Sequence, residues 1–177
     1  MRRLLACGVA GLLATALSTP ALAAAPERTG WWNALSAGTV VAPAPTTADG
    51  DLRVANGPDG PTAYAAVLLS APGASSATLN LLVRPGTVIG TPQVVACATK
   101  TDDWTKGGNQ PIAGAPAFDC TARELFGTLS ADGATLSFDL DASTAAGTWS
   151  LALVPQTGSS TPFALDLQAP GPDAFTP

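Results

Sequence analysis

Thr135, Ser137 and Asp139 alternate with Leu136, Phe138 and Leu140, so an extended chain over residues 135–140 has one polar face and one apolar face. Residues 148–154 repeat the pattern, with Trp149, Leu151 and Leu153 set against Ser150, Ala152 and Val154. Phe163, Leu165 and Leu167 alternate in the same way with Ala164, Asp166 and Gln168. A period of two marks a half-buried strand. Five further runs have strand composition, at 51–55, 63–69, 77–84, 93–98 and 125–129, so with 135–140, 148–154 and 162–167 about eight strands are predicted. Turn residues separate them: Asn56-Gly57-Pro58-Asp59-Gly60-Pro61, Ala71-Pro72-Gly73, Pro85-Gly86, and Asp132-Gly133, whose residues accept the positive φ of a tight hairpin. No window after the first two dozen residues keeps a helical period over three turns. Many short strands at such spacing predict an all-β fold, an antiparallel β-sandwich over residues 50–168. Leu79, Leu81, Leu136, Phe138, Leu151, Leu153, Phe163 and Leu165 are its predicted core.

The ends of the chain read differently. Met1-Arg2-Arg3, an apolar run from Leu4 to Leu17 and the small-x-small site Ala21-Leu22-Ala23 have the order of a secretory signal peptide, removed after about residue 23. A lipobox at Leu4-Leu5-Ala6-Cys7 is disfavoured because the apolar run continues well past the cysteine. A membrane span is disfavoured because the run is shorter than the roughly 20 residues required and contains Gly8 and Gly11. Residues 24–49, rich in Pro and Ala apart from Trp31-Trp32, read as an N-terminal arm laid along the domain, with one Trp packed at a sheet edge and the other exposed. Residues 169–177, with Pro170, Pro172 and Pro177, read as a flexible tail with no wall-sorting signal.

Export changes the reading of the cysteines. Once Cys7 leaves with the signal, Cys97 and Cys120 are the remaining pair, and an oxidising compartment is expected to join them. Ala, Gly and Pro are abundant while Lys, Ile and Tyr are scarce, a skew typical of GC-rich coding. Without Arg2 and Arg3, six basic residues face 13 acidic ones, a net charge of about −7 that repels nucleic acid and anionic lipid.

Chemistry is sparse. The chain has no histidine, the commonest general base near neutral pH and the usual nitrogen ligand for zinc or copper. No serine lies in a Gly-x-Ser-x-Gly elbow, so a serine hydrolase of the usual kind is excluded. Asp102, Asp103 and Asp119 are the best set for paired-carboxylate chemistry, and the alternative is that they are solvated loop acids. Asp49-x-Asp51 with Asp59, and Asp139-x-Asp141, have oxygen-rich spacing for calcium, although neither has the Gly and Glu offsets of an EF-hand. No catalytic residue, metal or cofactor is assigned from these patterns. The leading candidate for ligand binding is the loop between the cysteines, where Trp104, Asp102, Asp103, Lys106, Asn109 and Gln110 combine an aromatic face with groups that match hydroxyls. Trp104 has two readings: it stacks on a sugar, or it folds back as a lid that anchors a long loop.

A Leu-x-Val strand (Leu52, Val54), the apolar strand Ala63-Tyr64-Ala65-Ala66-Val67-Leu68-Leu69, a Gly/Ser turn, Ala77-Thr78-Leu79-Asn80-Leu81-Leu82-Val83, a Trp-containing loop and the closing Phe138-Asp139-Leu140 resemble the DNRLRE-type modules in order. The name-giving hexapeptide itself does not occur. The resemblance implies a secreted, jelly-roll-like β-sandwich allied to carbohydrate-binding modules. Trp31-Trp32-Asn33 and the Cys-bounded Trp loop are similar to secreted proteins of high-GC Gram-positive bacteria, which implies a location and no activity. The expectation is therefore a secreted, extracellular, non-enzymatic structural or interaction domain of the cell envelope, with a carbohydrate-binding module as the alternative. Its expected partners are cell-wall or extracellular polysaccharide or an envelope protein.

Overall fold

The computed structural model describes residues 25–34, 47–72, 74, 76–141 and 147–177, so the expected signal peptide lies outside the described residues. The regular structure of the described residues is almost wholly strand: β1 Arg28–Asn33, β2 Leu52–Gly57, β3 Gly60–Ser70, β4 Ser76–Leu82, β5 Ile89–Gly90, β6 Val94–Thr99, β7 Gln110–Pro111, β8 Phe118–Asp119, β9 Leu125–Phe126, β10 Thr128–Leu129, β11 Thr135–Asp141, β12 Thr148–Pro155, β13 Phe163–Leu167 and β14 Phe175–Thr176. They form a small sheet ordered β10-β11-β4-β14 and a larger one running β5-β13-β2-β3-β12-β6-β8, to which β1, β7 and β9 attach. The antiparallel β-sandwich predicted from alternation is the fold, and each of the eight predicted runs coincides with a strand or a strand pair.

Register explains why the alternating residues meet. Leu136 lies opposite Leu81, Phe138 opposite Leu79 and Leu140 opposite Ala77, which places one apolar row of each strand on the inner face. On the facing sheet Leu151 and Leu153 lie opposite Val67 and Ala65. All eight predicted core residues are buried there together with Val54, Leu69, Trp149 and Phe175. Ser137 is half-buried and Asp139 exposed, as the register requires. The sheets also join at two corners. Val83 bridges Leu167, continuing the small sheet into the large one. At the other corner one run of chain changes sheets, since β9 pairs with β6 and β10 with β11. The residue between them is Gly127, where a Cβ would lie 2.8 Å from the Phe138 ring. Only a bare backbone passes so close to that ring.

The expected arm at 24–49 is described only at residues 25–34 and 47–49, and there, as in the tail, the packing departs from expectation. Residues 28–33 are a strand, paired antiparallel with β3 from Arg28 opposite Leu68 to Asn33 opposite Ala63. Trp31 and Trp32 are both buried, at 2% and 1% exposure, because neighbours in a strand point to opposite faces and both faces here are covered. The proline-rich end is docked as well: Phe175 lies opposite Leu79 on β4 and is fully buried against Trp149, ring centroids 5.4 Å apart.

Candidate functional site

The large sheet is dry on its outer face too. Tyr64, Ala66 and Leu68 of β3, Val95 and Cys97 of β6, Ala152 and Val154 of β12, and Trp32 of β1 form a second buried cluster. The loop between the cysteines lies over this face. Cys97 and Cys120 form a disulfide, beside the pairing of Ala98 with Asp119. Trp104 enters the cluster edge-on to Trp32, centroids 5.9 Å apart, and its Nε1–H donates to Ser150 Oγ at 2.9 Å. Ser150 Oγ also accepts from Thr99 Oγ1 at 2.5 Å. Arg28 completes the attachment, its guanidinium 5.4 Å from the Trp104 ring centroid and donating to the carbonyls of Asp102 (2.8 Å) and Trp104 (2.5 Å). Tyr64 packs edge-on to Phe118 and donates to the Pro116 carbonyl at 3.1 Å. Burial pushes its phenol up to about 12, since the phenolate loses solvation there.

Trp104 is thus placed as a lid, 7% exposed, with its ring occupied by Trp32, Arg28 and Ser150. The other five candidates divide. Asp102 and Asp103 are exposed on the side of the loop that Arg28 holds. Lys106, Asn109 and Gln110 instead line a cleft of about 530 Å³ with Thr29, Trp31 and residues 47–51. Close contact between two glycines builds its wall: a Cβ on Gly30 would lie 2.8 Å from the Gly107 nitrogen. Trp31 N–H donates to the Gly107 carbonyl at 3.3 Å, and β7 then runs parallel to β1 with Trp32 opposite Gln110. Asn109 has φ 52°, the left-handed region, and its side-chain oxygen accepts from Asn33 Nδ2. The cleft therefore presents an ammonium, two amides, the hydroxyls of Thr29 and Thr47 and the exposed carboxylate of Asp49.

Its second carboxylate, Asp51, is buried and already engaged, one oxygen by Arg84 Nε and the other by the Ala169 N–H at 3.0 Å. That engagement removes Asp51 from the calcium spacing with Asp49 and Asp59. Asp139 stands exposed on the small sheet. Asp119, the third member of the carboxylate set, accepts from the Thr121 hydroxyl and N–H at 2.6 and 2.8 Å, which hold its carboxyl below the usual range. Among the described residues the one group of Cys, Asp and Glu close enough to share a cation is Cys97, Cys120 and Glu124, whose sulfurs are bonded to each other.

Sequence reasoning missed Arg28, Asn33, Thr29 and residues 47–51 as parts of this region. Nothing local marks them, because they join the loop through pairing with partners some 60 to 80 positions away. Models of known protein families do not match this chain, and neither do characterised proteins. The functional reading therefore rests on the geometry above.

Proposed function

We propose that the protein is a secreted, non-enzymatic structural or interaction domain of the cell envelope. The observation that carries this reading is the attachment of its most polar loop. The disulfide, Trp104, Arg28 and β7 tie that loop to the sheet at separate points, which suits a rigid exposed surface better than a mobile catalytic lid. The carboxylates agree with it. Asp51 and Asp166, the buried acids among the described residues, are each paired with an arginine, Arg84 and Arg53, and Asp119 is held ionised where a general acid must keep its proton. The leader-like residues 1–23 and the disulfide support export, and the likeness in strand order to DNRLRE-type modules supports an extracellular sandwich. Expression of the full chain in a bacterial host, with cell fractionation and mass measurement, is the test. A shortened, disulfide-bonded chain in the medium or sedimenting with purified envelopes is expected, and an unprocessed cytoplasmic chain overturns the reading.

A second reading, carbohydrate binding, is favoured by one observation, the 530 Å³ cleft that brings Lys106, Asn109 and Gln110 together with two threonine hydroxyls. Its size lies within the range of small-ligand sites, and its groups match the hydroxyls of a neutral sugar chain. In this reading Trp31, which lines the cleft, is the fluorescent reporter and Trp104 is not. A polysaccharide array is expected to give binding that Lys106→Ala with Gln110→Ala, both exposed, abolishes without changing the melting temperature. Binding lost only on Trp104→Ala would return the site to the top of the loop.

A further inference from the structure

One edge of β1 is only partly used. Ala34 N–H donates to the Thr62 carbonyl at 2.9 Å, so in the register of β1 on β3 the even residues Arg28, Gly30 and Trp32 turn their backbone groups toward β3. The odd residues Thr29, Trp31 and Asn33 turn theirs to the other edge. There Trp31 N–H is taken by the Gly107 carbonyl at 3.3 Å, and β7 runs alongside Trp32 and Asn33. Thr29 has no backbone partner on that edge among the described residues, and it lines the 530 Å³ cleft. A free piece of sheet edge therefore opens into the cleft and is blocked at one end, where Gly107 lies against Gly30 and Trp31. Lys106, next to the block, is exposed, lines the same cleft and makes no ion pair among the described residues.

We propose that the cleft takes the C-terminal end of an extended peptide, which pairs with Thr29 as an added strand and sets its terminal carboxylate against Lys106. The proposal rests on the reading of the protein as an interaction domain and gives its partner a chemistry. A strand laid along Thr29 toward Trp31 meets Gly107 and must stop there, so a chain end fits and a continuing chain does not. The charge of Lys106 selects which end. A strand antiparallel to β1 would bring an ammonium to Lys106, whereas one parallel to β1, in line with β7, brings a carboxylate. An unpaired N–H and carbonyl on a strand edge offer donor and acceptor at the spacing of a peptide backbone, which a sugar chain does not reproduce. The exposed Asp49, in the same cleft, disfavours acidic side chains in the bound segment.

The experiment titrates the folded, disulfide-bonded chain, isotope-labelled for NMR, with three probes: a pool of acetylated tetrapeptides of Ala, Val, Thr and Lys with free carboxyl termini, the same pool with carboxamide termini, and cellotetraose. The free-acid pool is expected to shift the amide signals of Thr29, Trp31 and Gly107 and to slow hydrogen exchange at Thr29. Amidation of the pool, or Lys106→Gln in the protein, is expected to weaken binding about tenfold, the loss of one charge-assisted hydrogen bond, and the two changes together are expected to cost no more than either alone. Thr29→Pro removes the edge N–H without touching the ladder to β3, and is expected to abolish binding while the far-ultraviolet dichroism stays that of the folded sandwich. Equal shifts with the carboxamide pool overturn the proposal, as does a free-acid pool that leaves Thr29 and Gly107 unmoved. Shifts at the same residues with cellotetraose alone overturn it in favour of the sugar reading. Sedimentation with purified envelopes that Lys106→Gln leaves unchanged removes this cleft as the contact while the interaction-domain reading stands.

Discussion

The inner face of the large sheet meets a second sheet, whereas its outer face meets the loop between Cys97 and Cys120. Both faces are dry, but the residues that make them so have different origins. Inside, strands answer strands: Leu136, Phe138, Leu151 and Leu153 follow strict alternation, and register alone brings them together. Outside, the loop has no alternation, so its ordering depends on separate attachments: one disulfide, one indole, one guanidinium and two short strand pairings, β7 with β1 and β8 with β6. Burial by a sheet is distributed over many similar contacts, while burial by a tethered loop is concentrated in a few distinct ones. Single changes should therefore unfold the whole domain from the inside and detach only a region from the outside.

The largest expected effect is inside. Phe138 is fully buried and Gly127 passes against its ring, so Phe138→Ala should cost about 3 to 5 kcal/mol in denaturant unfolding, with all probes changing together. A small loss there would mean that the inner core repacks freely. Cys97→Ser should come next, at about 3 kcal/mol for a separation of 23 residues, and should free the outer loop for proteolysis while the inner core stays folded. Cutting within residues 98–119 at an unchanged rate would show that the loop is held without the bond. Trp104→Ala should cost about 2 kcal/mol through lost burial and the lost bond to Ser150, with Tyr64 becoming more accessible to solvent quenchers. An unchanged melting temperature would remove the lid role.

The smallest effect is one of pH. The Tyr64 phenol is raised from 10.0 to about 12, so its stabilising contribution is complete below pH 10 and is lost as pH rises toward 12. Tyr64 is the sole tyrosine of the chain, so tyrosinate absorbance reports on the outer cluster alone. Its titration midpoint should fall toward the ordinary value in the Cys97→Ser protein, and a midpoint already near 10 in the intact protein would show that the cluster is wet.

The same division decided what the sequence made legible. Alternation gave the inner core residue by residue, and Asp132-Gly133 gave the hairpin between β10 and β11. Alternation with larger apolar residues predicts a solvent face for Ala152, Val154, Ala164 and Asp166, yet all four are buried. The signal that the large sheet is covered on both sides was present in the unbroken apolar run at 63–69, since a half-exposed strand does not need Tyr64, Ala66 and Leu68. Residues 28–33 went unread as a strand because Arg-Thr-Gly-Trp-Trp-Asn alternates in neither size nor polarity. Phe175 is visible in the sequence only as the one large apolar residue of a proline-rich tail. In the candidate site the composition of the loop was legible, but its division was not. Trp104 and Lys106 are two positions apart, yet one is buried edge-on to Trp32 and the other is exposed at the cleft.

The position of β3 bears on the order in which the protein can be made. Residues 65–68 pair with β1, from near the start of the described chain, and with β12, more than 80 residues later. A nascent chain emerging from its N-terminus can cover one edge of its central strand early, but the other must wait for residues 148–155, which also supply a neighbour for β6. Until then two long apolar strands have open backbone, the condition in which unfinished sheets pair with one another. The largest sheet can therefore be completed only after most of the polypeptide has been made.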